Sequence, residues 1–323
     1  MKAAVRDTYG SPAAVVELRE IDKPVPADDE VLVRVRAASL NLSDWYGVTG
    51  RPWVGRAMMG LRKPKDSRLG TDYAGTVEAV GKDVTQFRPG DEVFGGRSGA
   101  LAEYVAAKED RGIVTKPANV TFEEAAAVPV AALTALQGLR DKGQLQPGQK
   151  VLINGASGGV GTFAVLIAKA LGAEVTAVCS TRNVEIARSL GADHVVDYTQ
   201  EDFARRGERY DLLVDIAGGR SWSDCKRVLE PRRTLVIVGG PRKALLGPLG
   251  GVIRLRLGAL FGSRKVAFFI AKFNKEDMEA LRELLEAGKL TPVIDARYEL
   301  SEIADAFRYM GEGHPRGKVV VAV

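Results

Sequence analysis

The stretch whose residue types and spacing can do chemistry is Ala156-Ser157-Gly158-Gly159-Val160-Gly161. It is a glycine-dense turn between an apolar β run (Val151, Leu152, Ile153) and an apolar helical pattern that stops at Leu171-Gly172, and a further β run follows at Val175 to Cys179. Strand, turn, helix and strand in that order make a βαβ unit of the dinucleotide-binding kind. Gly158 lets the backbone come close to a pyrophosphate. Gly161 lets the helix pack on the strand, and the N–H groups of the helix start face the anion with the helix dipole behind them. Ala156 stands where this pattern usually has its first glycine, a change tolerated where the turn keeps a negative φ.

The end of the second strand selects the dinucleotide. NAD sites carry an acidic residue roughly 20 residues past the glycines, which holds the ribose 2′-hydroxyl. Here that place reads Cys179-Ser180-Thr181-Arg182-Asn183, with no acid. A carboxylate repels a 2′-phosphate, whereas the Ser180 and Thr181 hydroxyls and the Arg182 guanidinium can hydrogen-bond it. NADP(H) is therefore the expected cofactor, although Arg182 also reads as a solvated first-turn helix residue.

Composition narrows what surrounds this unit. With 323 residues, one or two domains are expected, and 46% hydrophobic content is ample for a sizeable core. The net charge of +5 suits phosphate ligands, and the basic residues form no stripe interleaved with aromatics, so no nucleic-acid partner is expected. Two cysteines and two histidines, none close together in sequence, do not make a zinc site. Cys179 falls at a strand end and Cys225 in a helix, so no disulfide framework is expected. The chain opens MKAAVRDTYG, with no apolar signal core, and no run approaches about 18 uninterrupted apolar residues. A cytoplasmic protein is expected.

Residues 1 to 120 read as short β runs at Lys2 to Val5, Val15 to Leu18, Glu30 to Ala38, Gly75 to Val80, Glu92 to Phe94 and Ala102 to Val105, separated by turns such as Arg88-Pro89-Gly90-Asp91. That pattern predicts an all-β, barrel-like domain. Asn41 to Leu69 reads as a long irregular segment of the functional-loop kind. Thr121 to Lys142 reads as a helix pair, with a capping box from Thr121 and Glu124 and a break at Pro129. Strands near Val151, Val175, His194 to Val196, Asp211 to Asp215 and Leu235 to Val238 then alternate with helices at Asn183 to Leu190 and Ser221 to Leu229, which predicts a parallel, doubly wound sheet. A sixth strand is expected at Val266 to Ile270, amphipathic helices at Lys275 to Ala287 and Ser301 to Met310, and a last strand at Lys318 to Val321, the tail returning to the first domain.

Five stretches resemble one family across nearly the whole length: LGTDYAGTVEAVG (Leu69 to Gly81), FRPGDEVFG (Phe87 to Gly95), AAAVPVAALTALQGL (Ala125 to Leu139), NGASGGVGTFAVLIAKALGA (Asn154 to Ala173) and GHPRGKVVV (Gly313 to Val321). Together they resemble the medium-chain dehydrogenase/reductase superfamily and, within it, the zinc-free quinone oxidoreductase group. The resemblance implies an α/β fold, with a doubly wound parallel-sheet Rossmann domain plus a GroES-like β-barrel domain. The expected divisions are residues 1–122 for the GroES-like domain, 123–264 for the NADP-binding domain and 265–323 for the return to the first domain. Where zinc-dependent members carry a ligand cysteine this chain has Ser43, and where they carry a ligand histidine it has Thr71.

Without a metal, an acceptor needs to be held against the nicotinamide with a donor near the oxygen that becomes negative. A quinone or an α,β-unsaturated carbonyl fits, because its ring or β-carbon accepts hydride directly. In the group resembled, the loop after the early strands lines the substrate pocket, which on this sequence brings forward Asn41, Asp44 and Tyr46. Tyr46 is then the proton donor, protonated at neutral pH, or equally a packed aromatic, and Asn41 orients the carbonyl or the nicotinamide. The resemblance also points to Thr134 near the nicotinamide ribose and Tyr198 near the adenosine phosphate. Ala217, Gly218, Gly239 and Gly240 stand at the carboxyl ends of strands, where ligands collect. Lys318 matches a terminal lysine of the family, with a solvated strand lysine as the alternative.

The segment Pro241 to Lys265 has six basic residues and no acidic one among many apolar residues. It reads as a lid over an apolar substrate, a contact with a partner such as a second copy in a homodimer, or a membrane-surface segment. Two other functional readings stay open beside the reductase: a zinc-free NADP-dependent alcohol dehydrogenase, and a weakly catalytic NADPH-binding adaptor or membrane-associated protein.

Overall fold

The computed structural model describes residues 1–239, 248–259, 263–313 and 315–323. The chain forms two compact units, one of residues 1–133 and 272–323 and the other of residues 134–271. The first division falls later than 122, and the helix Phe122–Ala127 packs on the first unit's strands Glu30–Leu40 and Asp72–Val80; the second falls after 271 rather than 264.

The first unit is built on the strand Glu30–Leu40. Val31, Val33 and Val35 point into its core while Arg34 and Arg36 point out, the period-2 signature of a half-buried strand. Its residues Ala37 to Leu40 pair with the last strand, Lys318–Ala322, whereas Glu30 to Arg34 pair with Tyr104–Lys108. Two register shifts against Asp72–Val80 bend it, so one long strand serves two neighbours, the device that turns a sheet into a barrel. The sheet runs Ile294–Glu299, Lys318–Ala322, Glu30–Leu40, Asp72–Val80, Glu92–Gly96, Ile113–Thr115. The strands Ile113–Thr115 and Ile294–Glu299 were not among the sequence expectations. Residues Phe307, Tyr73, Leu40 and Ile113 are fully enclosed in its core.

Two early segments differ from the sequence reading. Val15 to Leu18 is not one strand but the end of a short helix, Pro12–Val15, followed by the strand Glu17–Glu20. The stretch from Asn41 onward is not irregular: it holds the helix Leu42–Thr49, a 3₁₀ turn at Trp53–Gly55 and a short helix Arg56–Met59. Asn41 is the N-cap, its N–H donating to the Asp44 carboxylate at 2.8 Å, and Gly50 ends the helix in the left-handed region at φ 62°. At Thr121 the expected capping box forms: Thr121 Oγ1 accepts from the Glu124 N–H at 3.2 Å and the Thr121 N–H donates to the Glu124 carboxylate at 2.8 Å.

The second unit is an all-parallel sheet of six strands in the order His194–Asp197, Glu174–Cys179, Lys150–Asn154, Tyr210–Asp215, Leu229–Ile237, Lys265–Phe268. Counted along the unit this is 3-2-1-4-5-6, the doubly wound order, with its switch point between Lys150–Asn154 and Tyr210–Asp215. Of the basic apolar segment, the described part is chiefly the helix Pro248–Ala259. Its Val252 and Leu255 are buried in the second unit's core, while Ile253 and Leu257 stand exposed. Among the described residues no helix is long and apolar enough to cross a membrane.

Phe307 tests the enclosed core of the first unit. Phe307→Ala removes a fully buried ring and is expected to lower unfolding stability by about 3–5 kcal/mol, read as a lower urea midpoint with an unchanged slope.

Candidate functional site

Two groups of polar residues are built into the fold, one in each unit. In the second unit they gather at the carboxyl ends of the parallel strands. The strand Lys150–Asn154 runs into Gly155, whose φ of +92° makes the tight turn. The turn glycine of this βαβ unit is thus Gly155; Ala156, one residue on, is fully buried and is not among the positive-φ residues. A Cβ on Gly161 would lie 2.1 Å from the Gly155 carbonyl oxygen, so only glycine lets the helix Gly159–Ala170 approach the turn. Beside Gly158, the N-cap, a Cβ would meet nothing closer than 3.9 Å, which leaves open space where a ligand can come near the backbone. The first N–H groups of that helix, at Gly159, Val160 and Gly161, have no acceptor within it and form an anion-binding end.

The neighbouring strand ends close around this turn. Asp215 accepts from Asn154 Nδ2 at 2.7 Å and from the Gly218 N–H at 2.8 Å, and the Ile216 and Ala217 N–H groups donate to the Asn154 carbonyl. Burial pushes the Asp215 carboxyl up from its ordinary pKa. A Cβ on Gly239 would sit 2.2 Å from the Ile216 carbonyl, so the fifth strand also needs glycine at its end. Gly240 lies outside the described residues.

Asn183 joins the glycine turn to the second strand. Its Nδ2 reaches Ser157 Oγ at 2.9 Å and Ser180 Oγ at 3.2 Å, and its Oδ1 is buried with no hydrogen-bond partner. Tyr198 is exposed, and its N–H donates to the Cys179 carbonyl, which sets it beside Ser180, Thr181 and the exposed Arg182. One expectation is corrected here. An acid does reach this corner: Asp197, from the end of the third strand, takes the Thr181 hydroxyl at 2.6 Å and the Thr199 hydroxyl at 2.8 Å. Those hydroxyls, Thr181 first, hold the Asp197 carboxyl below its usual range. Thr181 therefore spends its proton on Asp197. Thr134, the first residue of the second unit, lies on the helix Pro129–Leu136.

In the first unit, Asn41, Asp44 and Lys318 come together, and Asp72, which sequence reasoning passed over, is their centre. Lys318 is not solvated: it is 2% exposed, with its ammonium donating to Asn41 Oδ1 at 2.6 Å and to Asp72 Oδ2 at 3.3 Å. Asp72, 0% exposed, also accepts from Asn41 Nδ2 at 2.8 Å, Ser39 Oγ at 3.1 Å and the Val130 N–H at 3.0 Å. Asp44 accepts from the Asn41 N–H and, at 3.0 Å, from Thr71 Oγ1. Burial first, then the charge of Asp72, pushes the Asp44 carboxyl up from 3.8 to about 6. The Asn41 amide is thus held by its carbonyl and one N–H, with the second N–H uncommitted. Tyr46 lies two residues on along the helix, its ring set edge-on to Trp45 at 5.7 Å between centroids and its hydroxyl oxygen buried. Among the described residues no group of three or more His, Cys, Asp or Glu is placed to hold a metal ion.

Two family models match the chain, an alcohol dehydrogenase GroES-like domain over residues 27–118 and a zinc-binding dehydrogenase over residues 190–321. A chloroplastic quinone-oxidoreductase, QR1, of Triphysaria versicolor is 35% identical over 339 residues, covering 99% of this chain and 98% of that protein. The mitochondrial NAD(P)H oxidoreductase RTN4IP1 of Mus musculus is 34% identical over 366 residues, covering 100% of this chain and 89% of that protein. Among solved structures, the quinone oxidoreductase from Coxiella burnetii matches with a TM-score of 0.88 at 31% identity, covering 100% of this chain and 99% of that one. Escherichia coli quinone oxidoreductase complexed with NADPH matches with a TM-score of 0.84 at 25% identity over the whole of both chains. The fold is the expected α/β arrangement of a GroES-like domain and a parallel-sheet Rossmann domain.

The raised Asp44 pKa makes stability depend on pH. Because the folded value of about 6 lies above the ordinary 3.8, the folded state holds this proton more tightly, and the contribution present at low pH is lost as pH rises through about 6. Compared with Asp44→Asn, which does not titrate, the wild type is expected to lose roughly 3 kcal/mol of relative stability between about pH 3 and about pH 8. Urea denaturation of both proteins across that range measures it, and a flat difference overturns it.

Proposed function

The chain belongs to the medium-chain dehydrogenase/reductase superfamily, in its quinone oxidoreductase group, and from that premise we propose that it is a zinc-independent, NADPH-dependent reductase of quinones or α,β-unsaturated carbonyls. The observation that carries the reading is the convergence of Gly158, Gly161 and Asn183 at the switch point of the parallel sheet. Open space beside Gly158 and the N–H groups of the helix end fit a dinucleotide phosphate, and Asn183 holds Ser157 and Ser180 beside them. When bound, the nicotinamide supplies the hydride.

The chain's own residues bind, orient and protonate. Ser180 and Arg182 favour a 2′-phosphate, and the Asp197 charge is drawn onto Thr181 and Thr199 rather than presented to the ribose. The NADPH named for the Escherichia coli relative agrees with that preference. An acceptor reduced at its ring or β-carbon is left with a negative oxygen, which needs a hydrogen-bond donor and then a proton. Asn41, locked by Lys318 and Asp72, offers its second N–H in one direction, and Tyr46, protonated at neutral pH, is the proposed proton donor. Support for a reaction without zinc comes from Thr71, which donates its hydroxyl to Asp44, and from Ser43, an exposed neutral hydroxyl rather than one of the Cys, His or carboxylate ligands that zinc takes.

The test is nicotinamide oxidation by EDTA-treated protein against a panel of quinones, 2-alkenals and enones. Turnover on at least one acceptor is expected, with NADPH preferred to NADH. Arg182→Ala is expected to lower kcat/KM for NADPH about tenfold while leaving that for NADH in place, the size of one charge-assisted contact. Tight NADPH binding without turnover on any acceptor would overturn the reductase and favour a nucleotide-binding role.

A further inference from the structure

Apart from the Asn41–Lys318 cluster, the first unit holds a second cavity of 430 Å³. Its walls come from Tyr9, Trp45, Thr49, Arg51, Trp53 and Arg56 among others, and no acidic residue lines it. That volume lies within the ordinary range of small-molecule sites.

Its chemistry is aromatic and cationic at once. The Arg56 guanidinium lies 4.4 Å from the centroid of the Tyr9 ring and 4.1 Å from that of Trp53, and its Nε donates to the Gly50 carbonyl at 2.9 Å. Gly50 is the cradle of this stack: a Cβ there would lie 2.6 Å from both Arg56 Nε and the Tyr9 ring. The Tyr9 hydroxyl donates to the Gly60 carbonyl at 2.8 Å, which fixes the ring. A second guanidinium, Arg6, lies 5.9 Å from the same ring; it is 6% exposed, makes no ion pair among the described residues, and has a buried Nε without a hydrogen-bond partner. Arg51 adds a third cation at the rim, and the Trp53 indole is 63% exposed. Buried or half-buried guanidiniums are normally neutralised by carboxylates. Asp66 and Asp44 lie within electrostatic reach of Arg6, whereas Arg51 and Arg56 stand among flat rings with no acidic residue in the lining.

We propose that this cavity binds a planar aromatic anion, an aromatic carboxylate or sulfonate, its ring stacked among Trp45, Trp53 and Tyr9 and its negative group met by Arg51 and Arg56. Each half of the ligand answers one half of the site: aromatic faces take a flat ring, and guanidiniums form charge-assisted bonds with planar oxyanions. The site stands independently of the reductase reading, because it uses no residue of the nucleotide end and none of the Asn41–Lys318 cluster.

The test is calorimetric titration of the full-length protein, without nicotinamide or acceptor, using three probes: 2-naphthoate, its neutral methyl ester and the non-aromatic anion cyclohexanecarboxylate. The expected result is that 2-naphthoate binds at least about tenfold more tightly than either control, the worth of one ionic or stacking contact. Arg51→Met and Trp53→Ala alter exposed side chains, so their melting temperatures are expected to match the wild type, while each weakens 2-naphthoate about tenfold. Arg51→Met is expected to leave the methyl ester unaffected. Equal binding of 2-naphthoate and its ester, or 2-naphthoate affinity unchanged in both variants, overturns the site.

Discussion

The buried contact between Lys318 and Asp72 is the interaction on which the first unit depends. An ammonium and a carboxylate taken out of water lose several kcal/mol of hydration each, and their attraction offsets that only if every remaining donor and acceptor is satisfied. Asp72 meets the condition. One oxygen receives Ser39, Asn41 and Lys318, and the other receives the Val130 N–H. Five separate stretches of chain therefore have to arrive at one carboxylate: the end of the long strand, the N-cap of the helix that follows it, the strand carrying Asp72, the helix at Val130 and the last strand. A fold that misplaced the last strand or the strand carrying Asp72 would leave a buried charge unpaired at a cost of about 3–5 kcal/mol. The pair therefore selects one arrangement of these elements, more than it adds to their net stability. The same constraint removes Asn41's freedom to rotate, and the neighbouring Asp44 is raised first by its burial and then by the Asp72 charge.

The second unit solves a different problem, the close approach of backbone to backbone. At the switch point, three glycines remove side chains where strand ends and a helix end converge. Gly155 takes the positive φ, Gly161 admits the helix, and Gly239 clears the Ile216 carbonyl. What is left is a surface of N–H groups and short hydroxyls with no bulk above it. Asn183 then joins the first strand's turn to the second strand's end through two serines, so the glycine turn and the end of the second strand are held in one hydrogen-bonded frame.

Local signals in the sequence were enough to reveal the second unit. A strand, a glycine turn and an apolar helix lie within about thirty residues of one another, the reach of a βαβ unit, and their order survives folding. Thr121 and Glu124 were equally local, and their capping box formed as read. Asn41 and Asp44 have the same kind of spacing, yet the segment was read as irregular because its polar and glycine residues hid the helical period. The spacing to Gly158 and Gly161 puts Ala156 in the first-glycine place, where φ is not positive, and the positive φ of the turn falls one residue earlier, on Gly155. The rest was not local. Lys318 and Asn41 are joined across 277 positions, and Asp197 reaches Thr181 from a strand whose lateral position only the sheet order defines. A lysine at the start of an apolar strand looks solvated until the strand beside it is known.

The helix Leu42–Thr49 shows how one short element can serve two kinds of chemistry without confusing them. Asp44 and Val48, four residues apart, share the buried face, and it is there that the carboxyl meets Thr71 and the field of Asp72. Trp45 and Thr49, also four apart, share the next face and line the aromatic, cationic cavity. Successive residues on a helix point about 100° apart, so a single step in sequence moves a side chain from one environment to the other. Gly50 then ends the helix in a conformation that brings Arg56 back onto Tyr9, so the helix stop and the cation stack have the same cause. Changes at Trp45 or Thr49 alter what the cavity recognises without removing a hydrogen-bond partner of the Asp44 carboxyl, and the link between the two places is Arg6, which lies near the Tyr9 ring and feels the Asp44 charge. Recognition can therefore vary in such a unit while its charged core, tied through Asp72 to four other parts of the chain, stays fixed.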